Sequence, residues 1–247
     1  MGGILAFVYG FVSYNIFFLT FLYLIAFVGN YGVDLGFYTI TKTIDTGTPS
    51  GDGVMINLVL LLLFGFQHTA MARPGFKEMW TKVVPKSVER STYVLITSLL
   101  LIVMFWLWRP MTDVVWSVSG VGAMILTVLY FAGWGIVLLS TFLINHFDLF
   151  GLLQVYDRMR GRQSPHGQFV TPLLYKLVRH PMMLGMLIAM WATPQMTVGH
   201  LFFASGMSLY ILIGVRFEER DLAADLGPAY EDYQTKVPSI IPWIGGK

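Results

Sequence analysis

Four long, largely apolar runs decide what this chain can become, the first with Tyr14 and Asn15 as its main polar interruptions. Ile4–Val28, Val54–Met71, Ser91–Trp108 and Val118–Ile144 all fall within or above the roughly 17–25 residues that a helix needs to cross a bilayer. Each is read as a membrane-spanning helix. Composition agrees, because only 12% of residues are charged and mean hydropathy is +0.65, where a soluble domain carries roughly 25% charged residues. Two shorter apolar runs follow, Met182–Thr193 and Thr197–Val215, separated by Pro194. The first supplies about a dozen residues before proline stops it, too few to span. A helical hairpin that dips in and returns accommodates both.

The expected architecture is therefore an all-α integral membrane protein with about four transmembrane helices and a C-terminal re-entrant helical hairpin, giving five to six helical segments. A single domain over residues 1–247 is expected: helices over 4–145, a cytoplasmic segment over 146–181, the hairpin over 182–215 and a tail over 216–247. Gly120, Gly122, Gly133, Gly135 and Ser140 offer the fourth helix small faces for close contact. The loop Asn30–Gly53 carries Gly, Thr, Pro and three aspartates, and no fixed structure is inferred for it.

Charge distribution orients the bundle. Of 16 Lys and Arg, five lie in Arg73–Arg90, five in Arg158–Arg179 and four from Arg216 onward, leaving Lys42 and Arg109. The positive-inside rule makes those three segments cytoplasmic, and with them the N-terminus and the C-terminal tail. Nothing basic precedes the first run and no small-residue cleavage site follows it, so it is read as a retained helix and not a signal peptide. The chain has no cysteine, which excludes disulfides, thiolate metal sites and covalent thiol catalysis.

Chemistry is expected at two places. Arg179-His180-Pro181 opens the hairpin, and Arg216, Glu218 and Glu219 close it. Proline at a first helical position is an ordinary start signal, and adjacent carboxylates at a boundary are usually a solvated helix end. Ionisable groups gathered at one depth of a membrane nevertheless tend to mark sites. Upstream, His146 follows the fourth run with Asp148 two residues on. A carboxylate there can fix the tautomer of an imidazole and raise its basicity, the pairing used by general bases. Positions two apart share no helix face, so this pairing requires the helix to end near Asn145. His68 lies near the end of the second run and is read as a hydrogen-bonded strut.

The tail carries a recognisable pattern. Arg179-His180-Pro181, Gly185, Glu218-Glu219-x-x-Leu222, Gly227-x-x-Tyr230-x-x-Tyr233 and Val237-Pro238-x-x-x-Pro242 resemble the C-terminal signature of membrane methyltransferases of the isoprenylcysteine carboxyl methyltransferase and NnrU-like type. The resemblance covers about the last quarter of the chain. It implies that hairpin and tail enclose S-adenosylmethionine, with Arg179, His180, Pro181, Gly185, Glu218 and Glu219 binding it. Where that family commonly has an aromatic residue two places after the proline, this chain has Met183. Upstream, Gln67-His68, Met71-Ala72-Arg73-Pro74, Glu89-Arg90-Ser91-x-Tyr93, Trp106-x-Trp108-Arg109-Pro110 and Asn145-His146-Phe147-Asp148-Leu149-Phe150-Gly151-Leu152 resemble the methanethiol S-methyltransferase branch, which forms dimethyl sulfide.

The implied reaction is transfer of a methyl group to a small thiol, with His146 as base, Asp148 orienting it and Arg216 favouring the thiolate. Membrane lipid surrounds the protein, no metal site is expected, and Arg158, Arg160 and Arg162 are read as topology determinants, not a nucleic-acid contact. Rival readings are a methyltransferase for an isoprenylcysteine carboxylate or a phospholipid amine, a sterol-type reductase using NADPH, and a haem-binding bundle ligated by His68 and His146. No G-x-G-x-x-G dinucleotide motif occurs, so a soluble Rossmann domain is excluded.

Overall fold

In this computed structural model, residues 2–36, 39–162 and 170–242 are described. The end of the polar stretch 154–168, two residues of the loop 30–53 and the last five residues of the tail lie outside them. Among the described residues there are ten α-helices: α1 (Gly3–Val28), α2 (Gly53–Ala72), α3 (Pro74–Trp80), α4 (Lys86–Leu107), α5 (Gly120–Ile144), α6 (His146–Leu149), α7 (Leu152–Met159), α8 (Pro181–Trp191), α9 (Val198–Leu226) and α10 (Pro228–Lys236). Four strands of two to four residues accompany them: β1 (Val33–Asp34), β2 (Thr39–Ile40), β3 (Val114–Ser117) and β4 (Gln195–Thr197). The protein is an all-α integral membrane protein. Five helices, α1, α2, α4, α5 and α9, are long and apolar enough to span. Their outward faces carry exposed Leu, Val, Ile and Phe, such as Leu19, Leu62 and Val128, as a lipid-facing surface requires.

The described residues form two compact units. The first is drawn from 1–113, 146–166 and 197–200, the second from 114–145, 167–196 and 201–247.

In the first unit α1 packs on α4 and α7, and α2 on α4. The contacts are close because Gly10 of α1 faces Val155 of α7: a Cβ at Gly10 would meet Val155 Cγ2 at 2.5 Å. Gly151, at φ +84°, brings the backbone before α7 against Ser91, whose hydroxyl donates to Gly151 O at 3.1 Å. Helix α4 begins at Lys86 after Pro85, a turn earlier than the apolar run Ser91–Trp108. Its first turn is polar, and that hid the start. The loop 30–53 is also more ordered than its composition implied. β1 and β2 pair antiparallel, Trp108 is fully buried with Nε1 donating to Ile44 O at 3.1 Å, and Asn57 exchanges two hydrogen bonds with the backbone of Arg109.

In the second unit α8 lies antiparallel along α5, and two glycines permit it. A Cβ on Gly185 would meet Gly133 O at 2.6 Å, and one on Gly133 would meet Gly185 O and Ala189 N at 2.7 Å. Such small-residue contacts let helix backbones approach where lipid supplies no hydrophobic drive. The hairpin reaches further than its apolar count suggested. Tyr175 Oη lies against Ser140 O toward one end of α5, whereas Val118 N donates to Pro194 O at 2.8 Å and Trp116 Nε1 to Thr193 O at 3.2 Å before the other. Eleven helical residues cover only about 16 Å, and the chain gains the rest through a turn at Ala192, where Thr193 N donates to Trp191 O at 3.0 Å, and through β4. The second arm does not stop at Val215 either: α9 continues as helix through Arg216 to Leu226. Trp191 Nε1 donates to Ser208 Oγ at 2.9 Å and links the two arms.

Candidate functional site

The second unit gathers a polar cluster at the start of α8. Helix α8 begins with Pro181 at its first position, His180 as cap and Arg179 just outside, so backbone geometry turns both side chains toward the last turns of α9. The C-terminal segment returns to meet them. Arg179 N donates to Pro238 O and His180 N to Ser239 O, both at 2.9 Å, a short backbone pairing that straps the tail across the entry of the hairpin.

Glu219 is the hub of this cluster. Its Oε1 accepts from Arg179 Nε at 2.8 Å, His180 Nε2 at 3.1 Å and Ser239 Oγ at 3.0 Å, and Arg179 Nη2 lies 2.6 Å away. Arg179 and Glu219 side chains are 8% and 18% exposed, so the ion pair is largely shielded from water. The guanidinium is shared with the tail, because Nη1 donates to Gln234 O at 3.0 Å and also to Val237 O. Glu218 faces the other ring nitrogen of His180, with Oε2 3.6 Å from Nδ1, and is half exposed. His180 thus stands between two carboxylates. Around them, burial and then the charge of Glu218 push the Tyr175 phenol up to about 12, and burial pushes Tyr233 up to about 12 against the opposing pull of Arg179. Both are neutral donors at ordinary pH, and Tyr233 Oη donates to Tyr175 O.

Of the residues expected from sequence, Arg179, His180, Glu218 and Glu219 come together. Pro181 is buried as the first residue of α8. Gly185 is committed to the contact with Gly133 on α5. Arg216 is exposed on α9 and forms no ion pair among the described residues. Ser239 was missed. It lies inside the Val237-Pro238-x-x-x-Pro242 pattern, whose prolines drew attention while the serine between them carried no signal of its own.

The first unit holds the other candidate. Helix α5 ends at Ile144, and Asn145, at φ 120°, turns the chain into α6. The helix end required by sequence is present. His146 is 4% exposed, and its Nε2 lies 2.8 Å from Tyr14 Oη on α1. Asp148 Oδ1 accepts from Gln154 Nε2 at 2.9 Å. Burial pulls the His146 pKa below its ordinary 6.5. Tyr14 lies inside the first apolar run, Ile4–Val28, where it carries no signal of its own. Its alignment with a residue 132 positions away cannot be read from spacing.

His68 proves to be embedded in α4 contacts. Its Nδ1 lies 3.3 Å from Thr97 Oγ1 and its Nε2 2.9 Å from Tyr93 Oη. Both nitrogens are engaged between helices, which fits a strut and leaves neither directed at a haem iron.

Comparison with known proteins extends these observations. The chain is 49% identical to methanethiol S-methyltransferase 2 of Bradyrhizobium diazoefficiens over 236 residues, 95% of this chain and 88% of that protein. It is 48% identical to methanethiol S-methyltransferase of Mycobacterium tuberculosis over 242 residues, 97% of this chain and 96% of that one. A more distant likeness, 26% over 179 residues, links 69% of the chain to 65% of Nurim of Danio rerio. No protein-family model matches the chain, and no solved structure matches it.

Proposed function

The chain belongs to the methanethiol S-methyltransferase family, and on that premise we propose that this methyltransferase uses S-adenosylmethionine to convert methanethiol to dimethyl sulfide at the cytoplasmic membrane boundary. The observation that carries the cofactor assignment is the convergence on Glu219. Among the described residues its hydrogen bonds all fall on Oε1, which leaves Oε2 to a ligand, and Glu218 beside it is half exposed. Two adjacent carboxylates fit a group that carries an ammonium and ribose hydroxyls. S-adenosylmethionine, when bound, supplies an electrophilic methyl carbon on a sulfonium leaving group.

The protein's own residues then have three tasks. Arg179, His180 and Ser239 fix Glu219 in one orientation, so Glu218 and Glu219 hold the donor without reorganising. Pro181 and Gly185 fix the position of α8 that presents them, Pro181 by setting its first turn and Gly185 by admitting α5. His146 takes the thiol proton. An alkyl thiol is mostly protonated near neutral pH, as the cysteine reference value of about 8.5 illustrates, so proton removal is needed. Asp148 secures the helix on which His146 stands, through Gln154. Arg216, exposed after the apolar part of α9, adds positive potential that favours a thiolate. A low-water setting speeds the displacement, because solvation stabilises the separated ions more than the charge-dispersed transition state.

The test is direct. Purified protein supplied with methanethiol and S-adenosylmethionine labelled in its methyl group should release labelled dimethyl sulfide into the headspace. Labelled product on an isoprenylcysteine peptide or a phospholipid amine, with none from methanethiol, overturns the substrate assignment. Calorimetry showing NADPH binding and no S-adenosylmethionine binding overturns the cofactor.

A further inference from the structure

We propose that Tyr14 is the positioning residue of His146, holding the imidazole for proton removal through the hydrogen bond between its Oη and Nε2. This inference rests on the reading of His146 as base and supplies the partner that base requires. Sequence spacing had offered Asp148 for this role.

The geometry favours the tyrosine. The Oη to Nε2 distance is 2.8 Å, and the two rings meet edge to face with centroids 5.7 Å apart. Phe147 and Phe150 flank the imidazole in the same manner at 5.4 and 4.9 Å. Phe150 is itself stacked on Phe17 of α1 at 4.0 Å, and Tyr14 on Phe18 at 6.4 Å. The aromatic groups are therefore braced against α1, and Tyr14 adds a directional polar contact to the ring. The Asp148 carboxylate accepts from Gln154 Nε2, which also donates to Asp148 O at 3.0 Å. That carboxylate ties α6 to α7.

The chemistry of the two partners differs. A carboxylate only accepts, and beside an imidazole it stabilises the charged form and raises the ring's pKa, which an uncharged phenol does not do. A phenol both donates and accepts. It can accept from Nε2–H of the neutral ring and of the imidazolium alike, so one hydrogen bond persists through the proton transfer while Nδ1 keeps the lone pair that takes the proton. In the transfer the thiol S–H bond breaks, its electron pair stays on sulfur and its proton passes to the imidazole. With S-adenosylmethionine held by Glu218 and Glu219, the thiolate so formed would take the methyl group, and the electron pair of the broken carbon–sulfur bond would stay on the donor's sulfur. Of the titratable groups nearby, Tyr14 from α1 meets the ring directly, Asp148 lies two residues further along α6 with its carboxylate on Gln154, and Arg90 from α4 donates through Nε to Leu149 O at 2.7 Å. Burial, which lowers the His146 pKa, acts in the same direction as a neutral partner: the ring is uncharged and able to accept near pH 7.

Tyr14→Phe in the full-length protein keeps the aromatic contacts and removes only the hydroxyl. The expected result is a kcat lower by about tenfold, the scale of one lost hydrogen bond, with KM for S-adenosylmethionine unchanged. The imidazole titration of His146, followed by NMR with 15N-labelled histidine, should shift in Tyr14→Phe and stay in place in Asp148→Asn. Wild-type kcat together with an unshifted His146 titration in Tyr14→Phe overturns the inference. If His146→Ala instead keeps full turnover, the base assignment falls, while the titration still reports whether Tyr14 holds the ring. Should Tyr14→Phe fail to accumulate, fluorotyrosine at position 14 acidifies the phenol without changing its shape. It should move the same titration, and no movement overturns the inference.

Discussion

Glu218 and Glu219 are neighbours in sequence with different physical roles. Glu219 is shielded and paired with Arg179, while Glu218 is half exposed. Removing one member of a shielded pair leaves the other charge uncompensated, at a cost of about 3–5 kcal/mol. Glu219→Ala should therefore lower the melting temperature in detergent and abolish S-adenosylmethionine binding together. Glu218→Ala should weaken binding measured by calorimetry and leave the melting temperature close to wild type. Equal thermal losses in the two variants would contradict this division. The pH dependence follows from His146. Burial disfavours its charged form, so its pKa lies below 6.5. The neutral base persists as pH falls through 6.5 and is lost only further down. The acid limb of kcat against pH should accordingly fall below 6.5, and a limb at or above that value would show that the group is not desolvated as described. At this scale the sequence disclosed the charged participants, because Arg, His and Glu at membrane depth are costly enough to draw notice. It could not disclose Tyr14 or Ser239, whose roles depend on which distant residue they meet.

Among the elements, α8 and the tail segment 237–239 matter most. Gly185→Ala puts a methyl group 2.6 Å from Gly133 O and 2.9 Å from Val137 N. Backbone cannot yield as a flexible side chain does, so the change should cost about 1–3 kcal/mol and lower expression and melting temperature; unchanged stability would mean that the two helices separate readily. Periodicity and length made the spanning helices legible, with α1 and α5 placed within two residues of their observed bounds at both ends. Legibility failed where helix continues through polar sequence. Lys86–Arg90 and Arg216–Leu226 are helical although their composition reads as loop and tail, because helix formation follows backbone and cap geometry and not apolarity alone. The reach of the hairpin was underestimated for a related reason: the non-helical residues beyond Trp191, β4 among them, add length that a count of apolar helix leaves out.

For the whole molecule, the absence of cysteine makes orientation measurable by introducing one thiol at a time. Lys82 and Lys236 are exposed in segments that the positive-inside rule expects in the cytoplasm, and Ser50 is exposed in the loop 30–53, which the first spanning helix separates from the N-terminus. Lys82→Cys and Lys236→Cys should resist an impermeant maleimide applied to intact cells, and Ser50→Cys should react. The reverse pattern would invert the topology. The strap formed by Pro238 and Ser239 on Arg179 and His180 bears on how the molecule comes into being. A ribosome has made every spanning helix among the described residues before it reaches those two, so a nascent chain halted just short of them would lodge in the bilayer normally yet leave Arg179 and His180 without their backbone partners. The strap's pairing follows every spanning helix in the order of synthesis, so closure of the hairpin's entry waits on a segment that the bilayer does not hold.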